Sequence, residues 1–236
     1  HHVTVGLLLP ALAAMVWKTQ GIGFFASRRL FYAALVSLAA LIAVDSYLPL
    51  AASAKPILNW GDPSSFRALW WHITGRQYQV FVSFTPAIAG QDLIKFGHLL
   101  LREFGFCWLP LPLLFAVIGY ISMFRRDRTA FWLLILIVIF NLGYALNYEI
   151  AEDKDAYYLP TFVAIATAAG FGIRWLIECF VSDSIVSAKR YWLTAIILLV
   201  APAMALISNW PFNNRKHYLI AHDYVENIFA SMKRNG

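Results

Sequence analysis

Long apolar stretches alternate with short polar segments along this chain, and this pattern predicts helices that cross a membrane. A transmembrane helix needs about 20 predominantly apolar residues. Six stretches are long enough, or nearly so, and charged residues gather between them rather than within them. We therefore predict an all-α, multi-pass transmembrane helical bundle with spans at residues 3–17, 30–48, 106–123, 130–148, 160–178 and 191–208.

The segment 49–105 is different, because polar and aromatic residues are dense in it. Asp62 is a favourable helix N-cap and Pro63 suits the first helical position. Helical spacing then predicts an amphipathic helix from Pro63 to Thr74, with one apolar face formed by Phe66, Leu69, Trp70 and Ile73. A helix of this length cannot span a bilayer, so we expect it to lie in the plane of the membrane interface.

Two further helices are predicted outside the spans. One starts at Asp92 and runs towards the third span, where Pro110 and Pro112 are expected to kink it. Its apolar face holds Leu93, Phe96, Leu100 and Phe104. The other follows the sixth span, with helical spacing of Tyr218, Ala221, Val225, Ile228 and Met232. We therefore divide the chain into a transmembrane domain, 1–208, and an extramembrane helix, 209–236, that leads to a further domain.

The composition agrees with a membrane protein. Hydrophobic residues make up 60% of the chain and charged residues only 14%, whereas an average soluble domain is about a quarter charged. The net charge of +6 does not indicate nucleic-acid binding, because Lys and Arg cluster beside the apolar stretches. The chain opens at His1 with an apolar stretch already beginning at Val3, so we expect it to start inside a longer protein.

The charges of the connecting segments predict the topology. Basic clusters mark three loops as cytoplasmic: Lys18, Arg28 and Arg29; Arg125, Arg126 and Arg128; Lys189 and Arg190. The loop between the fourth and fifth spans is acidic, with Glu149, Glu152, Asp153 and Asp155. We predict that it shares the opposite, periplasmic or lumenal, face with His1, 49–105 and 209–236. The membrane is then a bacterial inner membrane or the endoplasmic reticulum membrane.

The chain has two cysteines, Cys107 and Cys179. The predicted topology puts them near opposite faces of the membrane, about 30 Å apart. A disulfide requires Cα atoms within about 7 Å of each other. We therefore expect two free thiols.

Several polar stretches resemble a known family. They are Leu48-Pro49-Leu50, Pro56-x-Leu58-Asn59-Trp60-Gly61-Asp62-Pro63, Trp71-His72-x-x-x-Arg76-Gln77-Tyr78, Glu152-Asp153-Lys154-Asp155-Ala156-Tyr157-Tyr158-Leu159-Pro160, and Asn213 to Asn227 with Ala221-His222-Asp223-Tyr224. Together with the His1-His2 pair, they resemble domain-of-unknown-function family 2723. That family includes the vertebrate transmembrane protein 260 type of protein O-mannosyltransferase. The resemblance extends over essentially the whole chain, and the Asn-Trp-Gly-Asp-Pro motif is its most specific part.

The resemblance implies the C-terminal part of the membrane domain of a GT-C type glycosyltransferase. Such an enzyme transfers a sugar, with mannose as one candidate, from a polyprenyl- or dolichyl-phosphate donor to a hydroxyl group of a protein or glycan acceptor. The family's catalytic carboxylate is expected in an outer loop N-terminal to this chain, so we do not expect the chain alone to be active. The sequence requires no cofactor and assigns no metal ligands, although a divalent cation remains open. Membrane lipid is an expected partner and nucleic acid is not.

The candidate substrate-binding residues lie in the outer-face segments, and each has a structural alternative. Asp62 could bind acceptor, sugar or a metal ion, or simply cap a helix. Arg76 could meet a donor phosphate or ordinary headgroups, and His72 could carry a proton or only hydrogen-bond at the interface. The acidic loop could hold a divalent cation or be merely solvated. The candidate set is His1, His2, Asn59, Trp60, Asp62, His72, Arg76, Gln77, Tyr78, Asp153 and Asp155.

Glycosyl transfer needs a phosphate-stabilising cation and acidic or amide groups at one reacting centre. We therefore predict that the Asn59–Asp62 turn and the Glu152–Asp155 loop line one outer cavity, with His1-His2 at its edge. Asp45, an acid in the outer part of the second span, is a further candidate.

Two other functions stay open. A transporter or flippase usually shows repeats and broken helices near mid-membrane, whereas the polar residues here gather at one surface. A non-catalytic scaffold that anchors an outer domain would lack a pocket in which a carboxylate and a cation converge.

Overall fold

The computed structural model describes residues 3–83, 85–104, 110–150, 154–181, 188–214, 216 and 219–231. Within these residues the chain is all-helical and has no β-strand, which confirms the predicted all-α class. The described α-helices are α1 Leu9–Gln20, α2 Arg28–Asp45, α3 Tyr47–Ser53, α4 Phe66–Ile73, α5 Pro86–Phe104, α6 Leu111–Arg126, α7 Arg128–Leu146, α8 Leu159–Val181, α9 Ala188–Asn213 and α10 Ile220–Ser231. Short 3-10 helices cover Val3–Leu8, Ile22–Ala26, Arg76–Phe81 and Lys154–Tyr158.

Three helical stretches are long and apolar enough to cross a membrane: Arg28–Ser53, Arg128–Leu146 and Lys154–Cys179. A shorter apolar helix covers Val5–Gln20. These stretches expose large apolar side chains, which suits contact with lipid tails that are as apolar as leucine. Three of the predicted spans are thus helices of membrane-spanning character. Helices α1, α6 and α9 occupy the other predicted positions, and their crossing of the membrane stays a prediction.

Helices α6 and α8 touch backbone to backbone. A Cβ atom on Gly119 would lie 1.8 Å from the carbonyl oxygen of Ala168, and one on Gly172 would lie 1.9 Å from that of Phe115. No side chain fits at these distances, so only glycine allows this packing. Small residues serve the same purpose at helix contacts in membranes generally. The buried core around the contact consists of Ala116, Met123, Leu134, Ala164, Ala168 and Ala169.

A buried amide joins α7 to the start of α8. Asn141 Nδ2 donates to the carbonyl oxygen of Tyr157 at 3.0 Å. Its Oδ1 accepts from the Thr161 hydroxyl at 2.7 Å and from the Thr161 N–H at 3.3 Å. The amide therefore satisfies one of the N–H groups that the first turn of a helix leaves open. Because Asn141 and Thr161 are buried and paired, this contact fixes how α7 and α8 align.

The side-chain contacts also give the directions of the three central helices. Arg126 at the end of α6 pairs with Glu178 near the end of α8, so these helices run in the same direction. Asn141 lies near the end of α7 and contacts Thr161 at the start of α8, so α7 runs the opposite way. The start of α6, the end of α7 and the start of α8 therefore lie at one end of the bundle. This order agrees with the alternation expected from the loop charges.

The predicted start of the interfacial helix at Pro63 is wrong. Helix α4 begins at Phe66, and its N-cap is Ser65, whose hydroxyl accepts from the Ala68 N–H at 3.2 Å. Asp62 has a φ of +38° and belongs to a separate turn, so it cannot serve as the N-cap. Both residues are good caps in sequence terms, and the left-handed backbone at 61–62 decides between them.

The predicted start at Asp92 is also wrong. Helix α5 begins at Pro86, and its buried face consists of Asp92, Phe96 and Leu99, whereas Leu93 is exposed. The kink expected at Pro110 and Pro112 is replaced by a helix start. Pro110 has a non-helical backbone just before α6, and Pro112 sits in the first turn, where its missing N–H is not needed.

Helix α9 runs longer than its apolar pattern, because it extends to Asn213, past the predicted end at 208. Helix α10 covers Ile220–Ser231. Tyr218 and Met232, which were assigned to this last helix, lie outside the described residues. Cys179 is an exposed free thiol, as expected, and Cys107 lies outside the described residues.

The glycine contact predicts opposite effects of one substitution at two neighbouring sites. Gly172→Ala forces a methyl group against a backbone carbonyl, and we expect it to destabilise the fold by about 1–3 kcal/mol. Gly170→Ala on the same helix meets no atom within 4 Å, and it is expected to be neutral or stabilising by up to about 1 kcal/mol. Unfolding in detergent measures both. Equal effects at the two sites would contradict the backbone contact.

Candidate functional site

The Asn59–Asp62 segment forms a closed turn. The Asn59 side-chain amide donates to Asp62 Oδ1 at 2.9 Å, and the Asp62 N–H donates to the Asn59 carbonyl oxygen at 3.4 Å. Gly61 has a φ of +73°, which glycine adopts without strain. Trp60 projects into solvent from this turn and is exposed. The Asn59 amide and the Asp62 carboxylate thus hold the turn, and their predicted contact with a substrate stays a prediction.

A first cavity, of about 370 Å³, lies between this turn and α4. Arg67 and Arg76 both lie over the Trp71 ring, with guanidinium carbons 4.5 Å and 4.2 Å from its centroid. His72 Nδ1 is buried and makes no hydrogen bond with any described residue. The cavity is lined by Gly61, Ala68, Trp71, His72, Arg76 and Gln77. Three candidate residues, His72, Arg76 and Gln77, therefore do come together, next to the turn that holds Asn59 and Asp62.

A left-handed residue makes this arrangement compact. Gly75, with a φ of +61°, follows the C-cap of α4 and turns the chain into the 3-10 helix Arg76–Phe81. This turn brings Arg76 back over Trp71 on the preceding helix. Tyr78 lies within the 3-10 helix and is exposed, outside the lining of the first cavity.

A second cavity, of about 500 Å³, surrounds a buried carboxylate at the end of the bundle where α8 starts. Asp92 on α5 receives Lys95 Nζ at 3.0 Å and also binds Lys154, which precedes α8. Its side chain is only 8% exposed. Apolar residues and further charged groups complete the lining: Ile88, Phe96, Leu99, Glu149, Ile150, Asp155 and Tyr158.

Two lysines control the charge of Asp92. Burial alone would raise the pKa of its carboxyl group, but hydrogen bonds from Lys154 and Lys95, together with their charges, outweigh burial and lower the pKa below its ordinary value. The carboxylate is therefore ionised, and each of its two oxygens accepts a hydrogen bond from one of the lysines. Asp155, the described candidate from the acidic loop, lies at the rim with Arg102 at 3.6 Å.

A short backbone pairing connects the two regions. Val82 and Tyr148 form an antiparallel bridge, in which the Ser83 N–H donates to the Asn147 carbonyl oxygen at 2.8 Å and the Glu149 N–H donates to that of Phe81 at 2.6 Å. This pairing holds residues 81–83, which follow the first cavity in the chain, against residues 147–149, which precede Lys154 of the second cavity. Among the described residues, however, the two cavities share no lining side chain. One common cavity for both loops stays a prediction.

Some candidates cannot be located. His1, His2, Glu152 and Asp153 lie outside the described residues. Asp45 is buried at the end of α2.

Asp92, Lys95 and Lys154 are absent from the candidate set that the sequence predicts. The sequence pattern indicates Asp92 only as the start of a helix. The signal that could have found it is its position one helical turn before Phe96 and two before Leu99, on the face that becomes buried.

Another charged cavity, of about 250 Å³, lies at the opposite end of the α6–α8 pair. Its charges are paired with each other: Glu178 binds Arg126 and also Arg174, the latter at 2.8 Å. None of the predicted site residues lines this cavity.

Comparisons with protein-family models, with curated proteins and with solved structures find no match for this chain.

The lysine pair around Asp92 predicts unequal effects of two matched substitutions. The Lys154 side chain is 16% exposed, whereas that of Lys95 is 75% exposed. Lys154→Met removes the buried partner of a buried carboxylate and is expected to destabilise the fold by about 3–5 kcal/mol. Lys95→Met removes an exposed partner and is expected to cost less than about 1 kcal/mol. Unfolding in detergent measures both changes.

A double variant separates charge from packing. If the loss in Lys154→Met comes from the unpaired carboxylate, adding Asp92→Asn should recover most of it. Equal losses for the two lysine variants, or no recovery in the double variant, would contradict this account of the buried pair.

Proposed function

We propose that this protein is the membrane-embedded part of a glycosyltransferase of GT-C type with six spans, similar to domain-of-unknown-function family 2723. The proposed reaction moves a sugar, with mannose as the first candidate, from a polyprenyl- or dolichyl-phosphate donor to a hydroxyl acceptor. It takes place on the periplasmic or lumenal face. The three membrane-compatible helices and the one-sided gathering of polar residues support this proposal.

The observation that carries the proposal is the second cavity. It combines a buried carboxylate with two ammonium groups and two further acids, Glu149 and Asp155, beside an apolar wall. Its volume falls within the range of small-molecule sites, about 300–1,000 Å³. A departing lipid phosphate needs cationic groups that are already in place before the transition state forms. Lys95 and Lys154 meet this requirement, because Asp92 holds both of them at the cavity.

Asp92 is not the general base in this proposal. A base must accept a proton at the working pH, and a carboxylate whose pKa lies below the ordinary value does so poorly. We assign Asp92 as a positioning residue for the two lysines. The proton acceptor is then expected outside the described cavity, in keeping with a family whose catalytic carboxylate precedes the region that this chain resembles.

The packing supports a site on the outer face. Asp92, Lys154 and Asp155 gather where α7 ends and α8 begins. The opposite end of the α6–α8 pair carries Arg125 and Arg126, which the positive-inside rule assigns to the cytoplasm.

The proposed topology is tested by labelling single cysteines in a variant in which Cys107 and Cys179 are serine. A cysteine at Ser64 is expected to react with a membrane-impermeant maleimide only from the outer side, and one at Thr129 only from the cytoplasmic side. Reaction of both positions from the same side would contradict the six-span order.

The proposed activity is tested with the full-length protein in proteoliposomes that contain a polyprenyl-phosphate sugar donor and a hydroxyl-bearing peptide. Lys95→Gln and Asp155→Ala are each expected to lower sugar transfer, the former by about 100-fold as for loss of one transition-state donor. Membrane insertion should stay unchanged, because both side chains are largely exposed.

Asp127→Asn is the matched control. Asp127 lies at the other end of the bundle and caps α7 by accepting two N–H bonds, which asparagine also does. It should keep full transfer. Donor translocation without sugar transfer would favour a flippase, and wild-type transfer in both site variants would remove the second cavity from the mechanism.

A further inference from the structure

The segment around α4 carries two arginines that have no carboxylate partner among the described residues. The guanidinium groups of Arg67 and Arg76 both lie over the ring of Trp71, which stands between them in the chain. A guanidinium over an indole face is held in place without losing its charge. Both side chains remain exposed, so their donor groups stay available to an anion.

The charge of this segment is one-sided. The segment 54–83 contains one carboxylate, that of Asp62, and three cations, those of Lys55, Arg67 and Arg76. That carboxylate already accepts the Asn59 amide within its own turn. The surface beside Trp71 is therefore electropositive, and the adjoining first cavity, of about 370 Å³, leaves room next to Arg76 for a phosphate group.

The same segment leaves large apolar side chains uncovered. Phe66 is 83% exposed and Trp70 is 56% exposed on α4. Ile57 and Leu58 precede the turn with almost their full surface exposed. A short helix with an apolar face and arginines beside it is typical of segments that lie at the headgroup boundary of a bilayer. The membrane-compatible helix Arg28–Ser53 ends only a few residues earlier in the chain, which keeps this segment near the membrane.

We infer that Arg67, Trp71 and Arg76 form a clamp for the phosphodiester headgroups of anionic phospholipids and so seat α4 on a negatively charged bilayer surface. The apolar face of Phe66 and Trp70 enters the headgroup boundary, and the two guanidinium groups bind phosphate oxygens above it. This inference concerns bulk lipid and does not depend on glycosyl transfer. Each arginine near an anionic surface is expected to contribute about fivefold to the docked population.

The test uses the full chain without Cys107 and Cys179, with a nitroxide label on the cysteine of an Ile73→Cys variant, which lies on the same face of α4 and leaves Phe66 and Trp70 in place. The protein is reconstituted in vesicles of phosphatidylcholine alone or of equimolar phosphatidylcholine and phosphatidylglycerol. Accessibility to oxygen and to a water-soluble nickel chelate gives the ratio of lipid-docked to water-exposed label. We expect this ratio to be higher in the anionic vesicles, and to fall at high salt because exposed charges are then screened.

The arginine variants identify the clamp. Arg67→Gln and Arg76→Gln should each lower the docked ratio in anionic vesicles about fivefold, and the double variant about 25-fold. Lys55→Gln, which removes a nearby cation that does not lie over Trp71, is the control and should have a smaller effect. Arg76→Lys should retain the charge effect and part of the docking.

Three results would overturn the inference. The first is an equal docked ratio in the two kinds of vesicle. The second is an equal loss for Lys55→Gln and the arginine variants, which would indicate general charge rather than a clamp. The third is a fall in the docked ratio when inorganic phosphate replaces chloride at the same ionic strength, which would indicate a site for a soluble anion. A loss of sugar transfer with docking intact would bear only on the proposed enzyme.

Discussion

The contact between Gly119 and Gly172 is the constraint on which the rest of the described fold depends. Two helix backbones meet there with no side chain between them. Membrane helices gain little from burying apolar surface against each other, so close packing must supply much of their association. Because α6 and α8 pack this closely, the positions of their ends relative to each other are fixed. The Asn141 amide then fixes α7 against the start of α8.

This framework explains why the charged residues form two separated groups. At one end, Asp92 and two lysines surround a cavity, and at the other end Arg126, Arg174 and Glu178 pair with one another. Each group pairs two cations with one carboxylate, but the carboxylate of the first group is 8% exposed and that of the second is 40% exposed. The cavity beside the first group is also larger, about 500 Å³ against about 250 Å³. A buried carboxylate and a larger open space, rather than the number of charges, distinguish the end where the proposed site lies.

Apolar length and helical spacing were enough to predict the all-α class and the positions of helices such as α7 and α8, because these depend on local composition. The residues at which helices begin were harder to predict. Asp62 and Ser65 are both good caps, and only the left-handed turn at Gly61 selects the second. Asp92 could not be assigned from local pattern either, because its partner Lys154 is 62 residues away. When the role of a side chain depends on a partner far away in the sequence, the residues next to it do not reveal that role.

The bridge between Val82 and Tyr148 has a mechanical consequence. Two backbone hydrogen bonds fasten the peptide after the 3-10 helix Arg76–Phe81 to the peptide that leaves α7. The peptide around Val82 therefore cannot shift relative to the end of α7 without breaking them. Glu149 and Ile150, just beyond the same bridge, line the Asp92 cavity, so the position of this cavity is tied to the bundle. In the proposed membrane orientation, a lipid-tethered reactant would meet the cavity at one fixed height, and tether length would become a criterion of selection.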